Sequence, residues 1–239
     1  MSLPLSLPVG QHPQRLRRLK HGTPEGSATK RTFSNDIQYT WAPIRVLPMT
    51  IATPKATPIR PITTADYHRM AEVGIIAADE RLELIAGQIV QKMPKGPAHS
   101  ALCKRIEKLL ERRLGEQVLV RLQDPIQLDD YSEPEPDIAV VHPDAGFYVD
   151  RHPSPDDVYL IIEVADTTVN RDLGTKANLY AAAGIQDYWV FNVSTQQLHV
   201  FREPYADGYQ RQLILSAQQS IEILAFPDCQ IAVEACFGI

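Results

Sequence analysis

Hydrophobic residues recur along this chain with two different periods, and the changes between them mark out the elements. From Pro97 to Leu114, Leu102, Ile106, Leu109, Leu110 and Leu114 return at helical spacing before Gly115, which predicts a long amphipathic helix. Ahead of it, Thr64 to Glu72 reads as a shorter helix, with Thr63 as cap and Asp66 three residues on. Between these helices, Arg81–Ile85 and Gln88–Met93 flank Ala86-Gly87, a connection of the length used by tight hairpins. Strands are predicted at Gln117–Gln123 and Pro125–Leu128, then from Ile138. After the proline-interrupted excursion from His142 to Asp157 comes the continuous apolar run Val158–Ala165. That run is too apolar to be anything but a central strand. A helix over Arg171–Ala183, ended by Gly184, follows it. Asp187–Val193, Gln197–Arg202, Tyr209–Leu215 and Ile221–Leu224 alternate better, as antiparallel strands with one wet face do. The expected fold class is α+β, with one mixed sheet flanked by helices.

Acidic residues interrupt this pattern at informative places. Asp137 stands where a strand begins and Glu163 near the end of the central one, and a carboxylate in either place needs something positive beside it. On the following helix the apolar stripe is Leu173, Ala177, Tyr180 and Ala181, and Lys176 falls beside it, on the side facing the sheet. Such a lysine either snorkels from the edge of the stripe or reaches the carboxylates. Asp166 competes with Glu163 as second acid, but it lies where the chain leaves the strand and reads more simply as a turn residue. Glu83 faces opposite to Leu82 and Leu84 in the hairpin. Glu133 and Glu135 belong to an acidic turn and rank below Asp137 as contributors. His99 sits on the margin of the long helix's apolar face, where a core or capping histidine is the default and a role near a bound metal the minority reading.

Two carboxylates and a lysine on a buried sheet suit metal-assisted hydrolysis of a phosphodiester. That chemistry needs a hard cation on the phosphate oxygen, an activated water and a positive group to steady the developing charge. Asp137 and Glu163 are the candidate ligands for Mg2+, with Mn2+ as substitute. Lys176 is the candidate catalytic lysine, and Glu83 a further site residue holding a water or a second ion.

The ordered blocks Glu83-Leu84-Ile85-Ala86-Gly87, Glu135-Pro136-Asp137-Ile138-Ala139 and Ile162-Glu163-Val164 stand at the front of the pattern. Lys176, Tyr180, Gly184 and Ile185, then Tyr188-Trp189, complete it. Together they resemble the Uma-two family, over roughly residues 60 to 238. That family is assigned to the PD-(D/E)XK, or restriction-endonuclease-like, superfamily. The resemblance implies a restriction-endonuclease-like fold and a metal-dependent DNA endonuclease with the same acids as ligands. The superfamily usually carries its lysine two residues after the second acid, where this chain has Ala165. The family supplies it from the following helix, and Lys176 matches that position.

Composition and charge narrow the picture. With 44% hydrophobic and 22% charged residues the chain is an ordinary globular one, and its three cysteines, Cys103, Cys229 and Cys236, suit reduced thiols in a cytoplasmic protein. No apolar run is long enough to span a membrane. Residues 1–60, with Pro4, Pro8, Pro13, Pro24, Pro43, Pro48, Pro54 and Pro58 and the cluster Arg15, Arg17, Arg18 and Lys20, read as a disordered extension ahead of a domain at 61–239. It could be a nucleic-acid-binding arm, a targeting segment, or upstream codons before a true start at Met49. The reading leans to the last, or to a dispensable arm. Residues 1–48 carry seven Lys or Arg against two acids, net +5, which leaves −10 on the rest. That negative charge opposes non-specific duplex binding. It keeps open a nuclease-fold protein that works as a binding or regulatory module and, lowest, a small-molecule phosphodiesterase. A homodimer is expected on general grounds, since cutting both strands of DNA suits two symmetric sites.

Overall fold

The structure, a computed structural model, describes residues 59–166 and 168–238. The reading of the N-terminal extension, up to residue 58, lies outside the described residues.

Local signals start the elements where they were expected. The first helix, α1 (Thr64–Glu72), opens on a complete capping box: the Thr63 side chain accepts from the Asp66 N–H, and Asp66 accepts from the Thr63 N–H. Strands β1 (Leu82–Ile85) and β2 (Gln88–Gln91) pair antiparallel across Ala86-Gly87, both at positive φ (48° and 74°), the conformation of a type I′ turn. Gly87 is required twice over, because a Cβ there would lie 2.5 Å from the Pro61 Cβ. The long helix α2 (Pro97–Leu114) buries Leu102, Ile106, Leu109, Leu110 and Leu114, as its spacing predicts.

A six-stranded sheet carries the rest. Its strands are β3 (Leu119–Leu122), β4 (Ile138–Val141), β5 (Val158–Ala165), β6 (Asp187–Asn192), β7 (Gln197–Tyr205) and β8 (Gly208–Leu215), in the order β3-β4-β5-β6-β7-β8. Every neighbouring pair is antiparallel except β5–β6, which is parallel. A parallel pair needs a crossover, and here it is helical: α3 (Val169–Arg171), a π-helical turn (Asp172–Lys176) and α4 (Ala177–Ala182). A separate hairpin of β9 (Ser220–Ile223) and β10 (Phe226–Ala232) and the short α5 (Val233–Phe237) complete the described chain.

Alternation along the strands divides the core in two. Ile138, Val140, Leu160, Ile162 and Val164 face α2, whereas Ala139, Val141, Ile161 and Ala165 pack with Ala177 and Tyr180 of the crossover. The two cores sandwich β5, which is central as expected. Arg202 on β7 joins the β9–β10 hairpin to the sheet: it donates to Asp187 on β6 at 2.9 Å, and to the Glu222 carboxylate at 3.1 Å and carbonyl at 2.5 Å.

Three expectations need correction. Pro125–Leu128 is not a ladder strand: Ile126 and Leu128 are buried, but Pro125, Pro134 and Pro136 lack the donors that a regular ladder would need, so only isolated backbone bonds form. β6 is buried at every position and β7 over Leu198–Arg202, so neither has the expected wet face. β6 and β7 are inner strands, and it is β8, at the edge of the sheet, that is open to water. The helix over 171–183 also contains a π turn, which a search for a 3.6-residue period does not reveal.

Candidate active site

The antiparallel register of β4 and β5 sets up the site. Ile138 pairs with Ile162, so one step outward Asp137 and Glu163 stand opposite each other at the end of the pair. Glu163 belongs to the face that carries the crossover, whereas the Asp137 carboxylate reaches His99 on α2. Both are nearly buried, Asp137 at 6% and Glu163 at 4% exposure. The Val164 N–H, next in chain to Glu163, donates to Asp137 Oδ2 at 2.9 Å, so the backbone itself couples the two positions.

The crossover brings the lysine. Lys176 closes the π turn, is 4% exposed, and donates from Nζ to Glu163 Oε1 at 2.7 Å; its Nζ also lies 3.5 Å from Glu83 Oε2. Tyr180, one turn further, donates its hydroxyl to the same Glu163 oxygen at 3.1 Å. The wide turn also presents Arg171 and Asp172 to this region, and Arg171 forms an ion pair with Glu83 Oε1. Glu83, only 1% exposed, reaches in from β1 and accepts from the Glu135 N–H at 3.3 Å.

All four residues singled out in the sequence, Glu83, Asp137, Glu163 and Lys176, therefore line one cleft of about 270 Å³. Residues that the sequence reading placed lower or passed over join them. His99 Nε2 lies 3.0 Å from Asp137 Oδ1, so it is neither a bare core histidine nor a cap. Lys95 Nζ lies 3.3 Å from the same oxygen, and Lys92 donates to Glu135 Oε2 at 2.7 Å. Asp172 and the exposed Asp166 complete the acidic lining. Glu133 is absent from it: its carboxylate turns away to His68, which removes it from the candidates for this site. Lys92 and Lys95 could have been suspected, since two lysines precede an apolar helix in a segment held by Pro94, Gly96 and Pro97. Nothing in the sequence singled out Arg171, because its place depends on the π turn.

The electrostatics of the two acids diverge. Burial pushes Asp137 up, but His99, the Val164 N–H and Lys95 together outweigh it and hold the carboxyl at about 2. Glu163 goes the other way. Burial raises it to about 7, with Lys176 opposing and the charges of Asp137 and Asp172 adding to the rise. Burial raises Asp172 as well and lowers Lys95. The lining holds six carboxylates (Glu83, Glu135, Asp137, Glu163, Asp166, Asp172) against four permanent cations (Lys92, Lys95, Arg171, Lys176), an excess of two negative charges when all are ionised. A divalent cation fits both that excess and the hard oxygen donors of Asp137 and Glu163.

The Uma2 (Uma-two) family model, described as "Putative restriction endonuclease", matches residues 64–234. A crystal structure titled as a "putative nuclease belonging to DUF820" from Anabaena variabilis superposes with a TM-score of 0.56 at 17% identity, covering 74% of this chain and 98% of that one. At that identity the likeness speaks for the fold, and it agrees with the mixed sheet flanked by helices. No curated protein sequence matches. Among the described residues no helix is long and apolar enough to cross a membrane.

Proposed function

Because this chain belongs to the Uma2 family, we propose that it is a divalent-metal-dependent DNA endonuclease whose working parts are Asp137, Glu163, Lys176 and Glu83. The observation that carries the reading is the opposition of Asp137 and Glu163 across β4 and β5, with the Lys176 ammonium 2.7 Å from the second acid.

In this reading Asp137 and Glu163 hold Mg2+, or Mn2+ in its place. When bound, the ion polarises the scissile phosphate and makes water a stronger nucleophile. The protein's own residues divide the remaining work. Asp137, already ionised, offers a fixed negative oxygen oriented by the Val164 N–H and His99. Glu163, whose proton is held mainly by burial, would be the ligand whose ionisation a bound cation favours. Lys176, whose ammonium stands beside Glu163, would orient the attacking water or steady charge on the phosphate. Glu83, between Lys176 and Arg171, holds the lysine in place from behind.

The charge of the domain raises a question that the cleft helps to answer. Residues 49–239 are net −10, yet Lys92, Lys95 and Arg171 stand in the cleft lining, where a phosphate backbone would pass. A few local cations can serve a nuclease that holds its substrate chiefly through the metal and a short stretch of backbone. A homodimer would present two such clefts to the two strands. One observation favours the alternative, a nuclease-fold binding module: in this arrangement the acids already have lysine partners.

Calorimetric titration of Mg2+ and Mn2+ into the full chain and Asp137→Asn, with plasmid nicking assayed on the same samples, separates the two readings. Binding and nicking lost together in the variant support the nuclease. A wild type that neither binds metal nor nicks overturns it in favour of the binding module.

A further inference from the structure

A second cluster of metal-binding side chains lies outside the cleft lining. His68 on α1, Glu133 before β4 and His152 in the excursion between β4 and β5 bring one donor atom each to within 4.8 Å of one another. Glu133 is 3% exposed, and both its oxygens face His68 Nε2, at 2.8 and 2.9 Å. The His152 ring lies 6.1 Å from that of His68, with the planes 69° apart.

The backbones that carry the three residues are each tied down. The Glu133 N–H and C=O both pair with Leu84, at 2.8 and 3.3 Å. His152 precedes Pro153, whose carbonyl accepts from the Gln127 N–H at 3.0 Å, and α1 is anchored by the Thr64 N–H donating to the Asp130 carbonyl at 2.8 Å. Three segments far apart in sequence thus hold two imidazoles and one carboxylate at a single point, where only side-chain rotation is needed to close around an ion.

We propose that His68, Glu133 and His152 form a Zn2+ site that fastens α1 and the 142–157 excursion to the segment leading to Asp137. Two imidazoles and a carboxylate favour a borderline cation such as zinc over magnesium, which prefers oxygen donors and its own waters. Zinc bonds of about 2.0–2.1 Å put tetrahedral donors roughly 3.4 Å apart. Reaching that spacing, from donors now within 4.8 Å of one another and only 2.8 Å apart between His68 Nε2 and Glu133 Oε1, falls to the His68 and His152 rings, because Glu133 is buried and its backbone paired. The His68 side chain is 46% exposed, which leaves the fourth position to water. Glu133 then has a second reason to be buried beyond its pairing with His68. Binding stabilises the folded state alone, since the unfolded chain does not assemble the three donors.

A rival group exists in the cleft, where His99, Cys103 and Asp137 also come within reach of one ion, so the test must tell the two apart. Full-length protein stripped with chelator is titrated with Zn2+ by calorimetry and with Co2+ by visible absorption, as wild type, His68→Gln, His152→Gln and Asp137→Asn. The expected result is one Zn2+ bound by wild type and by Asp137→Asn, with affinity reduced roughly tenfold or more in each histidine variant. The rise in melting temperature with zinc should be lost in those two variants. The cobalt spectrum should lack a thiolate charge-transfer band. Both histidines are partly open to water, so their substitution leaves the fold intact, and unchanged far-ultraviolet dichroism checks this. Failure of wild type to bind zinc overturns the proposal. So does wild-type affinity in the histidine variants, or a thiolate band that puts the ion at Cys103.

Discussion

Asp137 and Glu163 face each other across two strands, yet their protons behave oppositely, and this has a sign that can be tested. The folded pKa of Glu163 is raised from the ordinary 4.5 to about 7, so the folded state holds a proton that the unfolded chain has released. Stability from this residue is therefore full below about 4.5 and is lost as pH rises to about 7, with a limiting slope of about 1.4 kcal/mol per pH unit. Asp137 is lowered from 3.8 to about 2, so its contribution is present above 3.8 and lost as pH falls towards 2. Denaturant unfolding of metal-free protein from pH 4 to 8 should show a decline that Glu163→Gln flattens, and Mg2+ should stabilise more at pH 8 than at pH 5. Lys176→Met, which keeps the length but removes the charge, should lower turnover by about a hundredfold or more if the lysine acts on the phosphate or the water. It should also destabilise by about 3–5 kcal/mol at pH 8, because Glu163 and Glu83 lose a shared counter-charge, and by less at pH 5, where Glu163 can hold a proton. Asp137 has three partners besides any ion, so removing it also leaves His99 and Lys95 buried without their acceptor. Its replacement is expected to cost stability rather than improve it, contrary to the expectation for a charge paired only with metal.

At the scale of elements, the crossover between β5 and β6 decides where the lysine points. Lys176 was readable as facing the sheet because it stands between Leu173 and Tyr180 at helical spacing, and both of those do face inward. The π turn was not readable, since one extra residue per turn shifts Arg171 and Asp172 without disturbing the apolar stripe beyond them. Gly174 lies within that turn, at negative φ, and a Cβ there would meet nothing within 4 Å. Gly174→Ala should accordingly raise stability by about 0.5–1 kcal/mol in denaturant unfolding. At Gly87 the outcome reverses: positive φ and the Pro61 contact make Gly87→Ala destabilising. Strands were legible where apolar residues ran unbroken, as in Val158–Ala165. They were misjudged where burial on both faces had to be told from burial on one, as at β6 and β7, because that depends on neighbours that the local pattern does not contain. Glu83 and Glu163 stood out because each interrupts an apolar run, and Asp137 because it stands where one begins. Lys95 and His99 sit among residues that would look equally natural in water, and only the closing of the loop onto Asp137 reveals them.

For the molecule as a whole, the contrast between a net charge of −10 over residues 49–239 and a cleft that carries Lys92, Lys95 and Arg171 bears on how DNA would be held. If only these side chains touch phosphate, binding of a catalytically silent variant to duplex DNA should depend weakly on salt, with a logarithmic slope on the order of −3. Lys92→Ala should reduce that slope by about one, as measured by fluorescence anisotropy over a salt series. A much steeper slope would place the main contact elsewhere on the protein. The parallel pairing of β5 with β6 has a further effect, on when the site comes into being. Antiparallel neighbours can close through a short turn as soon as both are synthesised, whereas β6 can take its place only after the whole crossover has been made and folded back. Glu83, Asp137 and Glu163 precede that step in the chain and Lys176 belongs to it. A nascent polypeptide emerging from the ribosome therefore carries its acidic residues first and completes the constellation only when β6 docks, so the same topology that positions the lysine also delays it.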